Sequence, residues 1–212
     1  MTPIPLTSWP RAQHFALFKD FTQPYFNVCV QLDMQPLYQY CQSHKRSFFQ
    51  SYIFLALRAC HQYHPMQLRI VDDNPVQLQS TRASVVELAP DDTFRFSYFN
   101  LCNDFAEFAK RAHQVSESAK QQPLFSSAFE QTEGEADLIH ISVLPWLAFS
   151  SFSHAHSQGT SLGIPKLVFG KYDTETGKMP LSIDVHHALM DGLHVARFVE
   201  CFMQCINSYC QE

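Results

Sequence analysis

An α/β fold is predicted from three observations. In Leu181-Ser182-Ile183-Asp184-Val185 the apolar residues fall at every second position, the period of a half-buried strand. After Gly192, the residues Val195, Val199, Phe202 and Ile206 recur at intervals of four, three and four, which puts them on one helical face. Upstream, strand-like and helix-like stretches follow one another along the chain. Two adjacent histidines, His186 and His187, therefore sit where a strand gives way to a helix. Sites in sheet-based domains tend to lie at such junctions.

From the N-terminus, Ser8-Trp9-Pro10-Arg11-Ala12-Gln13-His14-Phe15 reads as a helix start, with Ser8 as its cap and Pro10 in the first turn, where a missing N–H costs little. Phe15 and Phe18 follow at helical spacing. Residues 25–32 form an apolar and aromatic run that reads as a strand. Helices are expected over about 34–43 and 48–63, the second largely buried through Ile53, Phe54, Ala56, Leu57 and Cys60. Between 68 and 99 turn formers interrupt a shorter period, giving a strand meander that ends at Thr93–Phe99. A helix over about 103–120 places Phe105, Phe108, Ala112 and Val115 on one face and Lys110, Arg111 and Lys120 on the solvated one. Residues 121–137 read as an irregular polar linker, too short to mark a domain boundary. A strand at Ile139–Trp146 and a second apolar run to Phe152 lead on to Phe169-Gly170-Lys171-Tyr172 and the strand before the histidines.

At 212 residues and 24.4 kDa, one domain over residues 1–212 is the simplest organisation. Hydrophobic residues at 46% with 19 Phe argue against disorder, and a net charge of -5 gives no electrostatic reason for a nucleic-acid partner. No apolar run approaches bilayer length and no basic-then-apolar leader is visible, so a cytoplasmic location with no membrane partner is expected. The seven cysteines, with no CxxC pair, are expected as reduced thiols. His61 and His64 are three residues apart with no third ligand, and read as surface or capping histidines.

The imidazole is the side chain suited to base catalysis near neutral pH. Asp191-Gly192 favours a tight turn or helix start. From the string alone two readings stand: a strand–turn–helix junction capped by Asp191 with packed histidines, or a catalytic corner. The run HHALMDGLHVARF closely resembles the active-site segment HHxxxDGxH of the chloramphenicol acetyltransferases. Three further stretches are similar to that family's motifs: the N-terminal Trp9-Pro10-Arg11 with His14-Phe15, Ile141-Ser142 leading to Pro145-Trp146, and Lys171-Tyr172.

The resemblance implies a single-domain, two-layer mixed sheet with flanking helices, assembled as a homotrimer with active sites between subunits. It implies acetyl-CoA as co-substrate, a small acceptor and no metal. His187 is then the general base, Ser142 the donor to the oxyanion, and Asp191 the partner of Arg11, a pair that can form through two parallel hydrogen bonds. Trp146, Tyr172 and Phe49 would lie along the coenzyme site. Phe18, Phe94, Phe125, Phe152, His154 and Val168 would line the acceptor pocket.

Departures from the family bear on the acceptor. Val168 stands where a threonine is common, His154 and His156 where aliphatic residues are usual, and Ser47 and Gln50 replace a basic residue and a proline near the coenzyme phosphates. Three functions stay open: O-acetylation of chloramphenicol, CoA-dependent acylation of another small hydroxylated or amine acceptor, and a non-catalytic relative. A pair of metal ligands at His154 and His156 is the alternative reading of those two residues.

Overall fold

A computed structural model describes residues 1–155 and 162–211. In chain order the elements are β1 (Thr2–Pro3), α1 (Ala12–Phe18), β2 (Tyr25–Asp33), α2 (Gln35–Ser43), α3 (Phe48–Gln62), β3 (Leu68–Val71), β4 (Asn74–Gln77), β5 (Arg82–Leu88), β6 (Phe94–Asn100), α4 (Phe105–Lys120), α5 (Ser127–Thr132), β7 (Leu138–Val143), β8 (Lys166–Phe169), β9 (Lys178–His186) and α6 (Gly192–Tyr209). Six strands form one sheet in the order β2-β9-β8-β7-β5-β6. The β8–β7 and β7–β5 pairs are parallel and the rest antiparallel, so the sheet is mixed. β1, β4 and β3 make a separate small antiparallel sheet. The fold class is α/β, as the alternation of periods predicts.

Directly paired residues share a face and the side-chain period is two, so the register divides the large sheet into two surfaces. One carries Leu181, Ile183, Val185, Leu167, Phe169, Ile139, Ile141, Ala83, Val85 and Phe99, all buried in one apolar cluster with α3, α4 and α6. Ile53, Phe54, Leu55 and Leu57 of α3 and Phe198, Phe202 and Ile206 of α6 fill it. Removing this much aliphatic and aromatic surface from water is the main term holding the sheet to its helices. The other face is polar. One row across it reads Asn27, Asp184, Lys166, His140, Ser84, Tyr98, and the next reads Cys29, Ser182, Val168, Ser142.

Several local expectations change. Ser8 does not cap α1: its hydroxyl turns back to the Pro5 carbonyl, a turn intervenes, and the helix begins only after Arg11, which supplies no side-chain cap. Arg11 instead points across the molecule, as described below. On α4 the inward positions are Phe105, Phe108, Ala112 and Ser116, while Val115 is exposed. Ser116 reaches the carboxylate of Glu87, so a buried polar pair takes the place predicted for valine. The linker over 121–137 contains the helix α5, capped by Ser126 on the Phe129 N–H, because Phe129 has an aromatic partner in Phe96. The strand predicted to run to Trp146 ends at Val143.

The meander is split between two sheets, and a fully buried arginine joins them. Arg69 on β3 donates to the carbonyls of Met66, Leu68, Ala136 and Leu138 at 2.6–3.0 Å. Burial pulls its pKa down to about 10, still leaving the guanidinium charged at neutral pH. At Gly170 a Cβ would lie 2.5 Å from Pro180 Cγ and 2.8 Å from the Leu147 carbonyl oxygen, so glycine lets segment 144–147 close over the end of β8. All seven cysteines are free thiols.

Candidate functional site

The strand β9 ends at His186, and the chain turns through residues 187–190 into α6. Leu189 and Met190 N–H donate back to the His186 carbonyl at 2.9 and 3.0 Å, and His187 N–H donates to the Pro24 carbonyl at 2.8 Å. The two histidines leave this corner in different environments. His187 is half-buried, its ring stacked on Phe18 at 4.0 Å and 6° and lying against Phe26 at 4.8 Å. Its Nδ1 is 3.2 Å from the Met190 carbonyl oxygen. A carbonyl can only accept, so Nδ1 carries the proton and Nε2 presents a lone pair. An imidazole held in this way can take a proton through Nε2.

His186 is buried, with its ring edge-on to Tyr25 and its Nδ1 accepting from the Ala188 N–H at 3.2 Å. It is therefore the opposite tautomer. Desolvation, and secondarily the neighbouring His187, pulls its pKa down to about 4. The unfolded chain then binds more protons than the folded one between about pH 4 and the ordinary histidine value near 6.5. Stability conferred by neutral His186 is present above that window and is lost on acidification through it. Between pH 6.5 and 4.5 the loss is expected to be about 2 kcal/mol. Chemical denaturation of the parent and of His186→Gln at the two pH values checks this: the variant should lose less on acidification.

Arg11 and Asp191 meet, though not as two parallel bonds. Arg11 Nη1 donates to Asp191 Oδ2 at 2.6 Å, and Nη2 donates to the His187 carbonyl oxygen at 2.9 Å. The second carboxylate oxygen is occupied by the helix start: Oδ1 accepts from the Leu193 and His194 N–H groups and lies 2.7 Å from His194 Nδ1. Asp191 and His194 thereby close a capping box on α6. Burial pushes the Asp191 carboxyl up, but hydrogen bonds and charge from His194 and the hydrogen bond from Arg11 outweigh it and hold the group far below the usual carboxylate range. Capping and ion pairing, alternatives in the string alone, coexist here. His194 is the participant that sequence reasoning passed over. Its signal was available: the third residue of a helix, facing back to an aspartate cap.

The remaining candidates do not converge within one chain. Ser142 lies on β7, half-buried, in the row that runs through Val168 to Ser182 on β9. His187 is five residues beyond Ser182 and two strands away, a separation of roughly 20 Å from strand geometry. Phe18 touches His187, whereas Phe94 and Phe125 are exposed at the far side of the sheet, linked through Phe96 and Phe129 in a chain of ring contacts of 5.4–5.6 Å. Phe152 packs between Phe149 and His154 at 5.8 and 4.9 Å. Tyr172 stacks on Tyr38 at 4.5 Å and leans on Phe48, next to Phe49, whose ring is edge-on to Tyr52. Trp146 is 62% exposed.

His156 lies outside the described residues. Among the described residues no group of three or more His, Cys, Asp and Glu could hold a metal ion, and no helix is long and apolar enough to cross a membrane. His61 does not serve as a surface residue: half-buried, its Nε2 accepts from the Thr81 N–H at 2.8 Å.

The chain is 26% identical over 210 residues to chloramphenicol acetyltransferase 3 of Escherichia coli, covering 98% of this chain and 97% of that protein. It is 25% identical over 210 residues to chloramphenicol acetyltransferase 2 of Haemophilus influenzae, with 97% of each covered. A solved chloramphenicol acetyltransferase superposes with a TM-score of 0.84 at 23% identity, covering 97% of this chain and 99% of that one. The dihydrolipoamide acetyltransferase of Azotobacter vinelandii shares the fold at a TM-score of 0.68 and 14% identity, covering 92% of this chain and 86% of that one. The sequence profile described as chloramphenicol acetyltransferase matches residues 1–204. Matched almost end to end by that profile and by relatives of its own length, this chain belongs to the chloramphenicol acetyltransferase family.

Proposed function

We propose that this protein is an acetyl-CoA-dependent O-acetyltransferase in which His187 is the general base, with chloramphenicol, named in its relatives, as acceptor. The observation that carries the reading is the tautomer of His187: its Nδ1 is engaged by the Met190 carbonyl, so the basic Nε2 is free for an acceptor hydroxyl. The hydroxyl oxygen attacks the thioester carbonyl carbon while its proton moves to Nε2. The C–S bond then breaks, and the same proton passes to the leaving thiolate. No acyl-enzyme is required, and holding both reactants in place removes the cost of a bimolecular encounter.

Arg11 and Asp191 act on the corner and not on the proton, since their hydrogen bonds go to one another, to the His187 carbonyl and to the start of α6. Ser142 is proposed as the hydrogen-bond donor to the oxyanion. Its separation from His187 along the sheet supports a site shared between copies of a single-domain chain, with His187 of one facing Ser142 of another, as in a homotrimer. Tyr172, Phe49 and Trp146 would flank the coenzyme. Phe18, Phe94, Phe125, Phe152, His154 and Val168 would surround the acceptor. A cytoplasmic location accords with seven free thiols.

Thiol release from acetyl-CoA, measured with and without chloramphenicol, tests the reading; no release with any hydroxylated acceptor would sink it. Ser142→Ala is expected to lower kcat about a hundredfold with KM little changed, the usual effect of losing one oxyanion donor. A rate within a factor of two of the parent rules Ser142 out. The second reading, a different small acceptor on the same machinery, is favoured by the polar row next to that of Ser142, which carries His140, Lys166 and Asp184.

A further inference from the structure

On the sheet face that carries Ser142, the neighbouring row is not apolar. Lys166 pairs with His140 on one side and with Asp184 on the other, and Val168, its i+2 neighbour on β8, pairs with Ser142. Lys166 and Ser142 are thus diagonal neighbours on one surface, about 8 Å apart by strand geometry. Both carboxylates near the lysine have other partners. Asp184 accepts from Asn27 Nδ2, which also reaches Ser182 Oγ at 2.6 Å. Glu133 accepts from Ser84 and Tyr98, each at 3.1 Å, and lies 3.2 Å from His140 Nε2.

Lys166 itself is half-buried and, among the described residues, donates to the Ala155 carbonyl at 3.1 Å, with its ammonium 5.9 Å above the Tyr25 ring. Among the described residues no carboxylate oxygen lies within 4.0 Å of it. Desolvation lowers its proton affinity, partly offset by the more distant Asp184 and Glu133. An ammonium has three N–H donors, and removing it from water without a counter-ion is costly. A cation left in this condition, on the surface that would bind the acceptor, is half of an ion pair.

We infer that the preferred acceptor, ahead of chloramphenicol, is a hydroxylated molecule bearing an anionic group, carboxylate or phosphate, which Lys166 receives while the hydroxyl is presented to His187. This rests on the proposed acetyl transfer and specifies its acceptor. The reaction is otherwise unchanged: an O–C bond forms, the C–S bond of acetyl-CoA breaks, and the hydroxyl proton ends on the coenzyme thiol. Chloramphenicol has no ionised group to place at Lys166 and should be a slow substrate.

A matched set of acceptors isolates the charge: N-benzoylserine, its neutral methyl ester, the cationic serine methyl ester, and chloramphenicol, each assayed by thiol release from acetyl-CoA. The parent enzyme should show kcat/KM for the acid at least about tenfold above that for the neutral ester. Lys166→Met should cut the acid-to-ester ratio about thirtyfold, and Lys166→Arg should largely keep it. Equal or faster turnover of either ester overturns the inference, as does an unchanged ratio in Lys166→Met. A ratio that stays put while light scattering shows the Lys166→Met assembly falling apart also overturns it, assigning the ammonium to a subunit contact. Chloramphenicol and neutral-ester turnover without acid turnover removes only this inference. Silence with all four acceptors removes the acetyl-transfer reading beneath it.

Discussion

His187→Ala is expected to lower the rate of acetyl transfer by about three orders of magnitude, the middle of the range that a positioned general base supplies. The fold survives. The ring is only half-buried, and what is lost in the folded state is a stack on Phe18, a tilted contact with Phe26 and one hydrogen bond to Met190. The backbone bond from His187 N–H to Pro24 is kept. That contact set is worth about 1 kcal/mol, which for a chain of this size shifts Tm by about 3 °C. Thiol-release kinetics and a thermal melt on the same preparation check both halves. Full activity in the variant removes the base assignment, and a melt lowered by tens of degrees would mean that the loss of rate reports unfolding. Alanine is the appropriate replacement, because a glutamine could itself donate at the Nε2 position and blur the result.

Asp191→Ala is expected to lower stability by about 3 kcal/mol and activity at least tenfold, both through the corner and not through the proton. Three things are lost together: the ion pair to Arg11, the caps on Leu193 and His194 N–H, and the contact with the His194 ring. The side chains differ in exposure, 11% for Arg11 and 36% for Asp191, so solvent screens part of the attraction and the lower end of the buried-pair range applies. The larger effect comes from leaving Arg11 enclosed with half of its partners gone.

The pH dependence separates charge from cap. A carboxyl whose folded pKa is depressed contributes stability that is fully present above its unfolded value near 3.9 and is lost as pH falls through the folded value. The stability difference between parent and Asp191→Ala should therefore be constant from pH 7 to about 5 and shrink below about pH 4. Asp191→Asn should recover the cap share but not the charge share. Equal melting temperatures for parent and Asp191→Ala at pH 7 would show that the Arg11 contact does not contribute.

Much of the fold was legible because period and packing agree. Strands β2, β7 and β9 and helices α2, α3, α4 and α6 lie within a few residues of where alternation or helical spacing puts them, since each buries a continuous apolar face. The failures have physical causes. Ser8 is a good cap residue at a place where the chain needed a turn, and α5 forms because Phe129 finds Phe96 across the sheet, a partner 33 residues distant in the chain. The second sheet was missed because β3 and β4 leave the meander to be joined back by a buried Arg69 that periodicity treats as polar.

By itself the sequence determined the class of fold, the corner at residues 186–192 and the pairing of Arg11 with Asp191 across 180 residues, the last through likeness of motif. Only the tertiary structure decided what each of the two adjacent histidines can do. His186 and His187 are chemically identical in the string. One is turned under the sheet with Nδ1 accepting from Ala188, and the other is sandwiched by Phe18 with Nδ1 donating to Met190. The tautomer of an imidazole is set by the hydrogen bond its other nitrogen makes, and that partner is chosen by packing. The same holds for Lys166, on the short strand β8, where register sets it opposite His140 and diagonal to Ser142. Cross-strand adjacency is a property of the folded sheet, and no local pattern of residues contains it.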